Sequence, residues 1–383
     1  MLDRTFWELL PSSGDWASQV FASKYPEYAS LRHAEQLFML GHRVVGGLET
    51  FIETPDDEIC VTDLAWLEDV RRESVGYYMR QIDRMPLILG SGAPRNLNPM
   101  TSYGGQRPKC SFEDEDGLWI AKFNLPNDPY DMALGEHLAM ELVRRSGVQA
   151  AESKVIQLPS GENVFCSKRF DRDGDERHHS LSLYALAPGN VLNRNPMMPG
   201  HPGGFMHRLV LRYSDFASAD AMGMVSKFLL DIALNNTDNH LRNLRMILNR
   251  DHRWELAPLF DVTCDPFNGP HKYNPAGLPL SELYLQNEAL PQAMARELLG
   301  ASHAMSQSRE VEMLAELIDS RRLPLVKLMQ QWEPLAQSLG LSEQDRERLG
   351  SGFSLGMDRG AAHRDMEKPS RSSPTFSGSP FKW

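Results

Sequence analysis

The segment from Asn235 to Asp261 constrains the fold of this chain more than any other feature. Helical spacing of apolar residues ends near Asn235, and a polar run follows as far as Asn243. Asp238 and Asn243 stand in the spacing D-x-x-x-x-N, and two short apolar stretches with a polar turn between them precede Asp261. Such a pattern predicts a β-hairpin. Hairpin closure would bring Asn243 and Asp261 side by side, in one compact unit with Asp238.

This unit carries the residue types that phosphoryl transfer requires. The reaction needs a carboxylate that orients the attacking hydroxyl, oxygen ligands for Mg²⁺, a cation on the phosphates and backbone N–H groups over them. We therefore predict that Asp238 orients the hydroxyl, and that Asn243 and Asp261 bind the metal ion.

A glycine-containing loop lies where the phosphates of a nucleotide could be covered. The run from Ser102 through Gly104, Gly105 and Gln106 to Lys109 leads into a predicted strand. Glycines let a backbone approach a ligand closely. On its own a Gly-Gly pair before a strand is more often a simple turn.

The next two predicted elements supply a cation and a partner for it. Leu118–Phe123 has the pattern of a strand, and Lys122 stands at its end. Asp131–Ser146 reads as a helix that stops before Gly147, and it carries Glu136. A lone Lys122 would most simply be a solvated strand end. The order of loop, lysine, helix, D-x-x-x-x-N and Asp261 favours a kinase site over these separate explanations.

Composition limits the classes of partner. A hydrophobic content of 41% with 24% charged residues is typical of a soluble globular protein. The net charge of −11 disfavours direct binding of nucleic acid. The four cysteines form no C-x-x-C pair, which fits a reducing compartment. There is no long apolar run and the first residues do not resemble a signal peptide, so we expect a cytoplasmic protein without membrane contact.

Changes in composition and in the spacing of apolar residues along the chain predict its division into domains. A mostly helical region, 1–90, precedes a small α/β lobe at 91–175 and a helical lobe at 176–350, while the Ser/Pro-rich residues 351–383 are expected to be disordered. Further predicted elements are a hairpin of Val155–Leu158 with Val164–Lys168, a loop at 195–204, a helix ending near Asn235, a hairpin of Leu244–Leu248 with Trp254–Leu256, and helices from about 286 to 350.

Taken in order, several motifs resemble those of HipA-type serine/threonine kinases, the toxin components of bacterial toxin–antitoxin modules. The resemblance runs from about residue 5 to 345. The motifs that carry it are Ser102–Lys109, Trp119–Phe123, Lys168–Arg172, Asn236–Asn243 and Ala257–Asp261.

For the fold, the resemblance implies an α+β, two-lobed, protein-kinase-like architecture with an N-terminal subdomain and a mainly helical C-terminal lobe. Family members usually begin with several β-strands before a stretch similar to Phe6–Pro11, and this chain starts almost at that stretch. We therefore expect a partial N-terminal subdomain. The implied partner is a HipB-like helix-turn-helix antitoxin, or a small separate protein that supplies the missing part.

For the site, the resemblance implies ATP and Mg²⁺ as cofactors, with Asp238 as catalytic base and Lys122 as the phosphate-contacting lysine. His240 matches the histidine of the family's catalytic loop. Ser102 matches a glycine-loop serine that several members autophosphorylate.

The resemblance also covers the adenine end of the nucleotide. Lys168, Arg169 and Phe170 would lie near the hinge between the lobes, where backbone groups hold adenine.

The acceptor is the least determined part of the prediction. Known targets in the family are aminoacyl-tRNA synthetases, so the resemblance implies a protein hydroxyl. Two alternatives stay open: a kinase fold without turnover that acts as a regulatory binding module, and a small-molecule kinase. The D-x-x-x-x-N spacing does not distinguish between acceptors.

Overall fold

The computed structural model describes most of the chain from Arg107 onward. The described ranges are 107–158, 161–174, 176–187, 203–236, 238–264, 290–299 and 309–350, with the short pieces 17–18, 20, 36, 52–53, 58–59, 95–98, 288 and 353. The glycine loop from Ser102 to Gln106 lies outside the described residues, as do most of the predicted N-terminal subdomain and nearly all of the predicted tail.

A five-stranded antiparallel sheet forms the first lobe, in the order β3 (Arg95–Asn98), β4 (Lys109–Asp114), β5 (Gly117–Phe123), β7 (Asn163–Lys168) and β6 (Ser153–Gln157). Gly117 begins β5 with φ 125°, a value that favours glycine and allows the tight turn from β4. Trp119, Ala121 and Phe123 alternate as buried residues along β5, which leaves Lys122 on the other face. The strands of the N-terminal half are β1 (Ile52–Glu53), β2 (Glu58–Ile59), β3 (Arg95–Asn98), β4 (Lys109–Asp114), β5 (Gly117–Phe123), β6 (Ser153–Gln157) and β7 (Asn163–Lys168).

Helix α1 (Met132–Arg145) packs against β6 and β7. Its N-cap is Asp131, whose carboxylate accepts from the Leu134 amide at 3.1 Å. Gly147 follows the helix with φ 80°, a left-handed value that ends the helical path. These two features fix where α1 begins and ends, and therefore which of its residues face the sheet.

The second lobe is mainly helical and carries a small three-stranded sheet. That sheet has the order β10 (Ser180–Ser182), β11 (Arg245–Leu248) and β12 (Trp254–Leu256). The remaining elements are β8 (Arg172–Asp173), β9 (Glu176–Arg177), β10 (Ser180–Ser182), α2 (Leu183–Leu186), α3 (Gly203–Tyr213), α4 (Ala217–Leu234), β11 (Arg245–Leu248), β12 (Trp254–Leu256), α5 (Leu290–Leu299), α6 (Arg309–Met329), α7 (Trp332–Ser338) and α8 (Glu343–Gly350).

One hydrophobic core runs through both lobes of the described chain. It includes Leu138 of α1, Phe165 of β7, Phe228 of α4 and Met294 of α5, all fully buried. A shared core resists movement of one lobe against the other, because close-packed interiors transmit strain. Within the described ranges, no helix is both long and apolar enough to cross a bilayer.

A buried polar cluster closes the C-terminal end of α4. Asp231 is 1% exposed and pairs with the ammonium of Lys227, which is also 1% exposed. The same carboxylate accepts from the side-chain amides of Asn236 and Asn239, each at 2.8 Å. Asn235 ends the helix in the left-handed conformation with φ 51°. The polypeptide after α4 is therefore tied back to the helix that precedes it.

The main elements predicted from the pattern are confirmed: β5, α1, the β6–β7 hairpin, α4, the β11–β12 hairpin and the helices after 290. Strands β3 and β10 were not predicted, because each is short and lacks alternation. The predicted loop at 195–204 is wrong at its end, since α3 already begins at Gly203.

His207 of α3 makes stability depend on pH. Its side chain is buried, and burial followed by the charge of Arg208 lowers its pKa from 6.5 to about 4. Between these two values the unfolded chain binds a proton that the folded chain does not, so the free energy of unfolding falls as pH falls. We expect a loss of up to roughly 3 kcal/mol between pH 6.5 and 4.

Urea denaturation at stepped pH measures this dependence. His207→Leu should flatten the profile, because leucine has a similar size and no titrating group. An unchanged slope in the variant would contradict the assignment to His207.

The buried pair of Lys227 and Asp231 should be costly to break. Lys227→Met leaves a carboxylate buried without its cation, and we expect the free energy of unfolding to fall by about 3–5 kcal/mol. Lys327→Met in α6 is the matched control, since Lys327 is exposed. Its effect should stay within about 0.5 kcal/mol. Chemical denaturation of both variants measures the free energy of unfolding. A loss in Lys227→Met as small as that in Lys327→Met would show that the pair does not stabilise α4.

Candidate active site

The ammonium of Lys122 lies between two carboxylates from distant parts of the chain. It contacts Glu136 Oε1 at 2.5 Å and also binds Asp261 Oδ1. Burial alone would lower the pKa of Lys122, but the charges of Asp261 and Glu136 outweigh burial and raise it. Lys122 is therefore fully charged at neutral pH.

Local structure places Lys122 and Glu136 opposite each other. Lys122 lies near the end of β5, on the face from which its ammonium also approaches the Phe165 ring at 5.5 Å. Glu136 lies in the second turn of α1 and is 7% exposed. Burial, and to a lesser degree the charge of Asp261, raise the pKa of Glu136 although Lys122 opposes this. The ion pair predicted from the sequence is thus present.

Backbone bridges to the segment after α1 fix the position of Asp261. The Leu259 amide donates to the Gln149 carbonyl and the Ala151 amide donates to the Leu259 carbonyl, each at 2.9 Å. Asp261 adopts φ 55°, a left-handed conformation that Asp tolerates better than most residues. Although burial acts to raise the pKa of this carboxyl, the charge and hydrogen bond of Lys122 lower it to about 2. Asp261 is therefore ionised, and 37% of its side chain is exposed to solvent.

The loop from Asp238 to Asn243 folds back on itself. The Asp238 carbonyl accepts from the His240 amide at 3.1 Å and from the side-chain amide of Asn243 at 2.8 Å. The Asn243 amide in turn donates to the His240 carbonyl at 2.9 Å. This contact of its NH₂ group fixes the orientation of the Asn243 carboxamide.

His240 belongs to the same electrostatic environment. Its Nδ1 atom is buried without a hydrogen-bond partner, and an electrostatic interaction with His240 is the smallest of the causes that act on the pKa of Asp261. His240 and Asp261 are thus near each other in the fold.

Asp231 was missed by the sequence reasoning. Through Asn236 and Asn239 it anchors both ends of the tetrapeptide that contains Asp238. Asn236 also accepts from the Thr263 hydroxyl at 3.4 Å, two residues beyond Asp261. Asp231 interrupts the apolar run from Phe228 to Leu234 at the end of α4, and this was the available signal, because a carboxylate in such a position is rarely buried without partners.

Lys109 was also missed as a site residue. It is the first residue of β4, is 5% exposed and lies directly opposite Lys122 in the β4–β5 register. Directly opposite residues project from the same face of a sheet. A lysine so deeply buried next to another lysine could have been recognised only once strand pairing was known.

The side chains of the predicted hinge residues Lys168, Arg169 and Phe170 contact other protein groups. Lys168 is opposite Trp119 in the register and so lies on the face of the sheet that Lys122 does not occupy. Arg169 pairs with Asp171 through two hydrogen bonds of 2.8 and 2.7 Å. The Phe170 ring packs on Phe260 at 5.4 Å. A role for these residues toward ATP stays a prediction, and it would involve their backbone.

A second group of potential metal ligands lies on the β8–β9 hairpin. Asp173, Glu176 and His178 offer ligand atoms within 4.8 Å of one another. Arg250 already pairs with both carboxylates of this exposed cluster. These ion pairs explain the cluster as a charged hairpin whose counter-ion is Arg250.

Solved structures with similar folds are known. The chain is similar to HipA of the Shewanella oneidensis MR-1 toxin–antitoxin system, whose structure contains HipA, HipB and operator DNA. That match has 15% identity and a TM-score of 0.59, and it covers 91% of this chain and 82% of the HipA chain. The Helicobacter pylori proinflammatory kinase CtkA aligns at 15% identity and a TM-score of 0.42, over 66% of this chain and 89% of its own. No curated protein matches.

The match to HipA confirms the α+β, two-lobed, kinase-like fold that the sequence predicted. The family model of the HipA-like C-terminal domain matches residues 101–344, which is more than half of the chain and includes the candidate site. This chain therefore belongs to the HipA-like C-terminal domain family.

Proposed function

We propose that this protein is a HipA-type kinase that transfers the γ-phosphate of ATP to a serine or threonine hydroxyl of a protein, with Mg²⁺ as cofactor. The position of the Lys122 ammonium carries this proposal. It lies between the helix carboxylate of Glu136 and the carboxylate of Asp261. In kinases this arrangement unites the phosphate-binding lysine with the metal-binding aspartate.

The donor set fits Mg²⁺. Asp261 is ionised and partly exposed, and the Asn243 carboxamide is held in place because its NH₂ group donates to the Asp238 carbonyl. Carboxylate and carboxamide oxygens suit this hard cation. Asn243 and Asp261 would hold the ion, which would neutralise charge on the transferred phosphate.

The other residues of the site would bind and orient. Lys122 would hold the α- and β-phosphates, and Glu136 would keep the ammonium in place. Asp238 would orient the acceptor hydroxyl and take up its proton. His240 would lie beside the transferred group, and backbone N–H groups of Gly104, Gly105 and Gln106 would cover the phosphates. Lys168, Arg169 and Phe170 would present backbone groups to adenine.

Family membership supports a role as the toxin of a toxin–antitoxin module. Ser102 is then a candidate for autophosphorylation, and an aminoacyl-tRNA synthetase is a candidate substrate. HipA of Shewanella oneidensis was solved with HipB, so a HipB-like antitoxin is the corresponding partner here, or a small protein that completes the N-terminal subdomain. We place this activity in the cytoplasm.

Phosphorylation assays with active-site variants test the proposal. Purified protein incubated with Mg·ATP should gain phosphate, with Ser102 as the expected position. Asp238→Ala and Asp261→Ala should each lower the rate by about a hundredfold or more, because the first loses the group that orients the hydroxyl and the second a metal ligand. Asp251→Ala, in the exposed β11–β12 turn, is the control and should retain the wild-type rate. Intact-mass and peptide mass spectrometry provide the readout.

The other outcomes separate the alternatives. Binding of Mg·ATP without phosphate transfer to any acceptor in a whole-cell lysate would favour the regulatory binding module. Label confined to small solutes would favour a small-molecule kinase. An active protein in which both aspartate variants behave like Asp251→Ala would refute the assigned site.

A further inference from the structure

A cleft lies where helices α1, α4 and α6 meet. The three helices contact one another pairwise, and the cleft between them has a volume of about 250 Å³. Part of its lining is apolar and deeply buried: Leu229 and Leu230 of α4 are fully buried, and Leu325 of α6 is 4% exposed. An apolar cavity of about 150 Å³ takes up one benzene molecule. The cleft therefore has room for a ring or a short alkyl chain together with a small polar group.

A proline interrupts α6 at this cleft. Pro324 lies inside the helix and lines the cleft together with Ser320, four residues earlier. Proline has no amide hydrogen to donate to the carbonyl four residues before it, and its ring conflicts with that carbonyl. The cleft thus lies where α6 lacks one of its regular hydrogen bonds, a common cause of irregular helix packing.

The last residue of α1 brings a positive charge to the cleft. Arg145 lines it with a half-exposed side chain. The guanidinium is 3.7 Å from the carboxylate of Glu141, and the same carboxylate already binds the neighbouring Arg144. One carboxylate therefore serves two arginines, which leaves positive charge at this end of the helix.

A second guanidinium comes from α6. Arg321 also lines the cleft, while the carboxylate of Asp319 on the same helix pairs with Arg322. Of the described residues that line the cleft, none is acidic. A guanidinium without a carboxylate partner favours an anion, and its planar fork matches the two oxygens of a carboxylate.

We propose that this cleft binds a small amphipathic carboxylate, with Arg145 and Arg321 at its charged end and the leucines of α4 and α6 around its apolar part. A carboxylate is the smallest anion that an arginine binds through two parallel hydrogen bonds, so it leaves most of the volume to the apolar part. The proposal is independent of the kinase activity, because no lining residue belongs to the candidate active site. The competing explanation is that both arginines are solvated surface cations and the cleft holds only water.

The ligand would contact two helices on which the candidate site is built. Glu136 lies in α1, and Asp231, which anchors the loop around Asp238, lies in α4. Occupation of the cleft would therefore add contacts that hold these helices together.

Affinities for octanoate, 1-octanol and acetate distinguish the two explanations. Octanoate combines both parts of the proposed ligand, while 1-octanol lacks the charge and acetate lacks the chain. Octanoate should bind wild type at least about tenfold more tightly than either, because a hydrogen bond to a charged group and the burial of several methylenes each contribute more than 1 kcal/mol. Titration calorimetry of the full chain with each probe gives the dissociation constants.

Three variants locate the binding. Arg321→Met should weaken octanoate about tenfold to hundredfold and leave 1-octanol unchanged, since only the charged contact is lost. Arg145→Met should act in the same direction, and it replaces Arg321→Met as the test if the latter does not fold. Met222→Trp places a larger side chain in the cleft and should weaken octanoate and 1-octanol alike.

Arg144→Met is the matched control for Arg145→Met. The two arginines are neighbours with almost equal exposure, 52% and 53%, but Arg144 does not line the cleft. Its affinity for octanoate should equal that of wild type.

Three results would overturn the proposal. One is equal affinity of wild type for octanoate and 1-octanol, or no binding of octanoate at all. Another is a loss in Arg144→Met as large as that in Arg145→Met, which would indicate a general effect of surface charge. The third is unchanged octanoate affinity in Met222→Trp, which would place the binding elsewhere. Because all measurements concern binding of these probes alone, a failure of the kinase proposal would leave them unaffected.

Discussion

The contact of Lys122 with Glu136 and Asp261 holds the site together. Lys122 and Glu136 are mostly removed from water while Asp261 stays partly exposed, and the cost of this desolvation is offset only when the three groups meet in good geometry. One comes from a strand, one from a helix and one from the segment after a hairpin. The caps of α1, its packing on β6 and β7, and the backbone bridges at Leu259 all serve to bring them together.

A second buried charge organises the other side of the site. Asp231 fixes the chain before and after Asp238 by accepting from Asn236 and Asn239, and Lys227 balances its charge. Burial raises the pKa of Asp231 while Lys227 opposes that rise. A loop held by its own helix keeps the orientation of its functional groups without a ligand. This is the kind of preorganisation from which electrostatic stabilisation of a transition state benefits.

Packing next to the site leaves little room for change. A Cβ atom on Gly135 would lie 2.4 Å from the Tyr130 ring, and the Tyr130 hydroxyl donates to the Cys264 carbonyl at 2.7 Å. The helix that carries Glu136 and the segment that carries Asp261 are thus coupled through one aromatic side chain. Helix α7 packs on α1, and Arg348 of α8 donates to the Pro129 carbonyl just before α1, so the C-terminal helices also contact this region.

Local sequence pattern was sufficient to predict most of the helices and hairpins and the principal polar residues of the site. The period of apolar residues gave α1, α4 and the hairpins, and the spacing of Asp238, Asn243 and Asp261 indicated one site. Which of these charges meet depends on the tertiary fold. Asp231 gains its partners from the fold around the end of α4, and Lys109 gains its position from strand register. A local pattern can mark such a charge but does not give its burial or its pairing, because both depend on residues far away in the chain.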